Sequence, residues 1–143
     1  MTPITYIGID PDVSASGVAE WHRPTRQVIQ VQALSFFALF DYLRTFDIDK
    51  TVVYVEAGFL NRSYRHNIQK NNIPKTIAAI GGAVGRNHET GHKIIEMCAY
   101  LGLTCIPVRP RSRKWTSTIC KQITGIDIRH QDKIDALKLV YGR

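Results

Sequence analysis

The sequence predicts an α/β fold, a mixed five-stranded sheet flanked by helices, and three observations carry that prediction. Two apolar segments, Ile4 to Asp10 and Thr51 to Glu56, each end on a carboxylate. Two further segments of strand character lie between them, and after Glu56 the apolar residues change to helical spacing around one more short strand.

Taken in order, Ile4 to Asp10 alternates and stops at Asp10-Pro11, where the proline ring fixes its own φ and removes a backbone donor. Gly17 to His22 and Gln27 to Leu34 are the next strands, joined by Arg23-Pro24-Thr25-Arg26, a polar connection of hairpin length, so the first three strands run antiparallel. Ser35 is placed to cap a helix in which Phe36, Leu39, Phe40, Leu43 and Phe46 form one apolar stripe against the sheet. Thr51 to Glu56 is almost continuously apolar, as a strand covered on both faces requires.

A polar stretch from Asn61 to Asn72 follows. Ile77, Ile80, Val84, Ile94, Cys98 and Leu101 then keep helical spacing, although glycines at 81, 82, 85 and 91 weaken the middle, so the segment reads as one long helix or two joined near Gly91. Gly102 suits a helix C-cap before a fifth strand, Leu103 to Val108, and a helix from about Gln131 to Tyr141 closes the sequence.

At 143 residues without repeats, low-complexity tracts or Pro/Gly/Ser-rich linkers, the sequence reads as one domain spanning 1–143. No run approaches the ~18 consecutive apolar residues of a membrane span. Cys98, Cys105 and Cys120 form no CxxC pair, and with no secretory leader pattern they point to a reducing, cytoplasmic setting. The formal charge of +7 favours a polyanionic partner, nucleic acid above all. The basic residues are patchy, with clusters from Arg62 to Lys75, from Arg86 to Lys93, and at Arg109, Arg111, Arg113 and Lys114 beside Trp115.

The chemistry lies in the acids. Asp10 and Glu56 end two strands that would lie side by side, and Asp132 and Asp135, three apart, share one face of the last helix. Each alone has an ordinary role, Asp10 in a turn and the other two as first-turn helix acids. Together they can converge on hard divalent ions such as Mg2+ or Mn2+, which take oxygen ligands; a pair about 4 Å apart stabilises both the attacking and the leaving oxygen of a phosphodiester.

At these residues the sequence resembles a known family. Ile7-Gly8-Ile9-Asp10-Pro11 with Gly17, Val53-Tyr54-Val55-Glu56, and Gln131-Asp132-Lys133-Ile134-Asp135-Ala136-Leu137 resemble, in order, the three acidic motifs of the RuvC-type Holliday-junction resolvases, of the ribonuclease H-like superfamily. The resemblance implies strand order 3-2-1-4-5, a homodimer, and two Mg2+ or Mn2+ ions held by Asp10, Glu56, Asp132 and Asp135. It also implies an endonuclease of DNA recombination and repair that cuts four-way junctions by paired nicks. Small size suits a compact phage-type member.

Phe59 matches the family position whose ring stacks on bases where the strands part, a contact worth ~1 to 3 kcal/mol that tolerates any sequence. Lys114 and Lys121 both fall where the family carries supporting lysines, and the sequence does not choose between them. Arg109, Arg111, Arg113 and Lys114 would hold phosphates without reading bases. Three features depart from the pattern: Asp12 stands where glycine is usual, Asn61 to Lys75 is an insertion, and the segment before Asp132 is shortened.

Other readings use other residues. His88-Glu89-Thr90-Gly91-His92 fits the H-E-x-x-H spacing of zinc proteases, but Gly91 weakens the helix it needs and no third ligand stands at a familiar spacing. A general branched-DNA nuclease and a non-catalytic nucleic-acid-binding module share the fold and the basic charge.

Overall fold

The computed structural model describes residues 2–60, 74–110 and 113–143. Its strands are β1 (Thr5–Asp10), β2 (Ser16–His22), β3 (Gln27–Leu34), β4 (Thr51–Glu56) and β5 (Thr104–Val108). Its helices are α1 (Phe36–Leu43), α2 (Pro74–Leu101), α3 (Ser117–Thr124) and α4 (Gln131–Val140), with a 3-10 turn at Gly58–Leu60. The sheet runs β3-β2-β1-β4-β5, the expected order. β2 pairs antiparallel with β1 and β3, whereas β4 runs parallel to β1 and β5.

Alternation along the strands divides the interior into two cores. Ile7, Ile9, Val18, Val53 and Val55 point to one face, where Leu39 and Leu43 of α1 and Ile94, Met97 and Cys98 of α2 bury them. Tyr6, Ala19, Trp21 and Tyr54 point to the other, under Ile134, Ala136, Leu137 and Val140 of α4. Because side chains change face every residue, Asp10 and Glu56 fall on the α4 side, two residues beyond Gly8 and Tyr54, which are partners across β1 and β4.

The caps act where they are needed. Ser35 accepts from the Ala38 amide at the start of α1, and Gly102 takes φ +78° to turn α2 into β5. Leu39 and Leu43 of the α1 stripe are fully buried, Phe40 and Phe46 pack at its edge, and Phe36 is partly exposed. α2 is a single helix, continuous through Gly91. The buried side chains of Ile94, Met97 and Cys98 hold it to the sheet, and such packing outweighs the weak helix propensity of its glycines.

α3 is an element that the strand and helix patterns did not predict. Thr116 caps its start by accepting from the Ile119 amide, and Gly125 ends it in the left-handed conformation at φ +77°. No helix among the described residues is long and apolar enough to cross a membrane.

Candidate metal centre

Close approach of α4 to the sheet builds the site. Gly8 and Gly17 lie under α4, where a methyl group on Gly8 would overlap the carbonyl oxygen of Ala136 and one on Gly17 that of Asp132. Gly17 is also the partner of Asp10 across β1 and β2. Two bare Cα atoms therefore let the first turns of α4 settle beside the carboxylate ends of β1 and β4.

The result is a tight group of acids. Oxygen atoms of Asp10, Glu56 and Asp135 all lie within 4.8 Å of one another, and the charge of Asp132 bears on Asp10 as well. Asp135 is only 6% exposed. Its Oδ1 accepts from Gln131 Nε2 at 2.7 Å, and the same nitrogen donates to the Trp115 carbonyl at 2.9 Å, which ties the acid to the segment before α3. Lys114 Nζ donates to Asp135 Oδ2 at 3.4 Å.

Crowding of like charge shows in the protonation. Burial first, then Glu56, Asp135 and Asp132, push the Asp10 carboxyl up to about 9. Burial and Asp135 raise Glu56 against the opposing pull of Lys114 and Lys138. Burial and Asp12 raise Asp132. Burial works against the charge on Lys114 too, but Asp135, Glu56 and Asp10 outweigh it and hold the ammonium more firmly protonated than usual. These four acids offer only oxygen donors and are short of positive charge, which fits a hard divalent cation.

Asp12 spends its side chain locally. Its Oδ1 accepts from the Ser14 amide at 2.9 Å and the Ala15 amide at 3.4 Å, shaping the β1–β2 turn, while its charge bears on Asp132.

The other predicted residues separate into two groups. Lys114 and Arg109 line a cavity beside Glu56 and Asp135. Arg113 is exposed, and its carbonyl accepts from Lys138 Nζ. Lys121 stands apart on α3, in a polar groove with Ser117, Gln122, Asp127 and Arg129. Arg111 and the inserted residues 61–73 lie outside the described residues.

Phe59 is half-buried rather than free: its ring stacks on His92 at 3.8 Å between centroids and meets His88 edge-on at 6.3 Å. Burial and His92 hold the pKa of His88 below the usual histidine range. Among the described residues, the group of three or more ligating side chains that converges is Asp10, Glu56 and Asp135, and no third ligand joins His88 and His92.

Sequence reasoning missed Lys138 and Arg143, which line the same cavity as Lys114. Lys138 follows Asp135 by three residues and so shares its helix face, a relation that the spacing alone contained.

No protein-family model matches this chain, and no curated protein matches it. Solved structures do. T. thermophilus RuvC in complex with a Holliday junction substrate superposes with a TM-score of 0.60 at 13% identity, over 95% of this chain and 90% of that one. The fold is RuvC-like. A second Thermus thermophilus RuvC structure gives 0.53 at 14% identity, over 94% and 90% of the two chains. At such low identity the likeness establishes architecture, and the chemistry has to be argued from this chain's own residues.

Proposed function

We propose that this chain is a divalent-metal-dependent endodeoxyribonuclease that nicks branched DNA, with four-way junctions as its principal substrate. The observation that carries the reading is the convergence of Asp10, Glu56 and Asp135 within 4.8 Å, with the charge of Asp132 acting on Asp10, on a RuvC-like sheet. The similar RuvC structure holds a Holliday junction substrate, which supports branched DNA as the substrate class.

Asp10, Glu56, Asp132 and Asp135 would hold two Mg2+ or Mn2+ ions. Bound there, such ions supply an activated water and neutralise charge building on the phosphate. The chain's own groups do the rest. Gln131 and Lys114 fix the Asp135 carboxylate from both oxygens. Lys114, more than half exposed, also faces the cleft and can donate to a phosphate oxygen there. Arg109, Arg111 and Arg113 would retain the strand by its phosphates, and Lys121 would touch the backbone further out. Phe59 would stack on a base at the branch, presented by His92 behind it. Paired nicks need two sites related by a two-fold axis, so the working form is a homodimer.

A labelled four-way junction and a linear duplex of matched sequence, incubated with Mg2+ or with Mn2+, test the substrate class. Nicks confined to the junction and placed symmetrically support the reading. Equal cutting of both would mean a general nuclease, and binding without cutting in either metal would mean a non-catalytic module.

A further inference from the structure

A cavity of about 250 Å³ opens beside the acids between the end of β5 and α4, with Glu56 and Asp135 in its wall but neither Asp10 nor Asp132. Four cations share that wall: Arg109 and Lys114 from the segment after β5, Lys138 from α4, and Arg143 beyond it. Among the described residues, Lys114 alone of the four is ion-paired, with Asp135.

Two of these cations are held in place. The Arg143 guanidinium lies 4.0 Å from the centre of the Tyr54 ring, its Nε donates to the Leu139 carbonyl, and its own carbonyl accepts from Trp21 Nε1 at 3.2 Å. Lys138 is anchored to the Arg113 carbonyl one helical turn beyond Asp135. A guanidinium fixed by a ring and a carbonyl loses little freedom when it takes up a ligand, and it prefers the oxygens of a phosphate.

We propose that this cavity is a phosphate subsite, in which Lys138 and Arg143 grip the nucleic-acid phosphodiester adjoining the one that is cut. The inference rests on the nuclease reading above and refines it. A bond to be cut must lie over all the acids, and the cavity is offset from Asp10 and Asp132 toward β5, so it receives a neighbouring linkage. Four cations against two carboxylates leave the wall net positive even without a metal ion, as an anion requires. Lys138 and Arg143 are positioning residues here: they register the strand so that the adjoining linkage meets the acids.

The test replaces single linkages on either side of the cut with uncharged methylphosphonates, and compares wild type with the double variant Lys138→Gln, Arg143→Gln. Binding is measured in EDTA and cleavage in Mg2+. Wild type should lose about tenfold in both at one particular flanking linkage, since a charge-assisted hydrogen bond is worth ~1.5 kcal/mol or more. The double variant should be about tenfold weaker on the all-phosphate strand and lose nothing further at that linkage, while Lys138→Arg, which keeps the charge, should stay near wild type. The subsite is refuted if the double variant equals wild type, or if it loses the same further factor at every linkage. A melting curve for each variant guards against a folding defect; were the glutamine pair unfolded, the single variants Lys138→Gln and Arg143→Gln decide, each of which must be less sensitive than wild type at that one linkage. Asp10→Asn separates the two claims: cleavage that survives it sinks the nuclease reading, while the binding profile in EDTA still decides the subsite.

Discussion

Gly17 and Asp132 touch across the sheet–helix boundary: the bare Cα of Gly17 on β2 leaves just the room that the Asp132 carbonyl on α4 fills, and a methyl group would overlap it. Gly17 is at the same time the β-ladder partner of Asp10. One residue thus sets both the strand beside the first acid and the helix carrying the third and fourth.

Gly17→Ala should push the start of α4 off the sheet. Overpacking of this kind costs about 1 to 3 kcal/mol, and the shift of Asp132 and Asp135 should cost more in cleavage than in stability. Urea unfolding beside a cleavage assay checks this. Full stability with full activity would mean that the helix is not held where it is shown.

The charge crowding at Asp10 predicts an inverted pH dependence of stability for metal-free protein. Its folded-state carboxyl sits at about 9, whereas in the unfolded chain it titrates near its ordinary value of about 4. The folded state binds the proton more tightly, so this group's contribution is complete below about pH 4 and is lost as the pH climbs toward 9. In EDTA, wild type should melt progressively lower from pH 5 to pH 8 relative to Asp10→Asn, and Mg2+ should restore most of the loss at pH 8. Parallel pH profiles for the two proteins would contradict the crowding.

Lys114 and Lys121 are equivalent in the sequence and different in space. Lys114 bonds Asp135, whereas Lys121 lies in the α3 groove. Lys114→Gln should reduce the single-turnover cleavage rate at least tenfold with modest change in binding. Lys121→Gln should alter affinity and its salt dependence, and leave the rate on bound substrate near wild type. The reverse order would place the wrong lysine at the site.

Phe59 stands on His92, and that stack gives the proposed base contact a rigid floor. Phe59→Ala should impair junction opening, read by 2-aminopurine fluorescence at the branch, more than duplex binding. His92→Ala should give a weaker form of the same defect and His92→Phe should rescue it. An equal loss of junction and duplex binding in Phe59→Ala would remove the stacking role.

Most of the sheet was legible because its punctuation is chemical. Pro11 stops β1, Gly102 turns α2 into β5, and Ser35 opens α1. The three acids Asp10, Glu56 and Asp135 were legible for the same reason, being placed by strand ends and helix spacing. α3 was not, since Ser117–Thr124 is rich in β-branched residues that weaken a helical pattern; its signals were the end residues Thr116 and Gly125. The continuity of α2 through Gly91 depends on tertiary packing that propensity does not contain. That Lys114 rather than Lys121 reaches Asp135 depends on the path of the segment after β5, and the cavity with Arg143 on the packing of Tyr54.

The central claim is that the acid cluster cuts DNA, and the most direct measurement is single-turnover cleavage of a four-way junction by wild type and Asp10→Asn, each in Mg2+, Mn2+ and EDTA, with junction affinity measured in parallel. Wild type should cut in either metal and stop in EDTA, while Asp10→Asn should bind the junction and cut at least a thousandfold more slowly, on the order of the loss seen when a principal catalytic group is removed. Metal-independent cutting, or an Asp10→Asn variant as active as wild type, would contradict it.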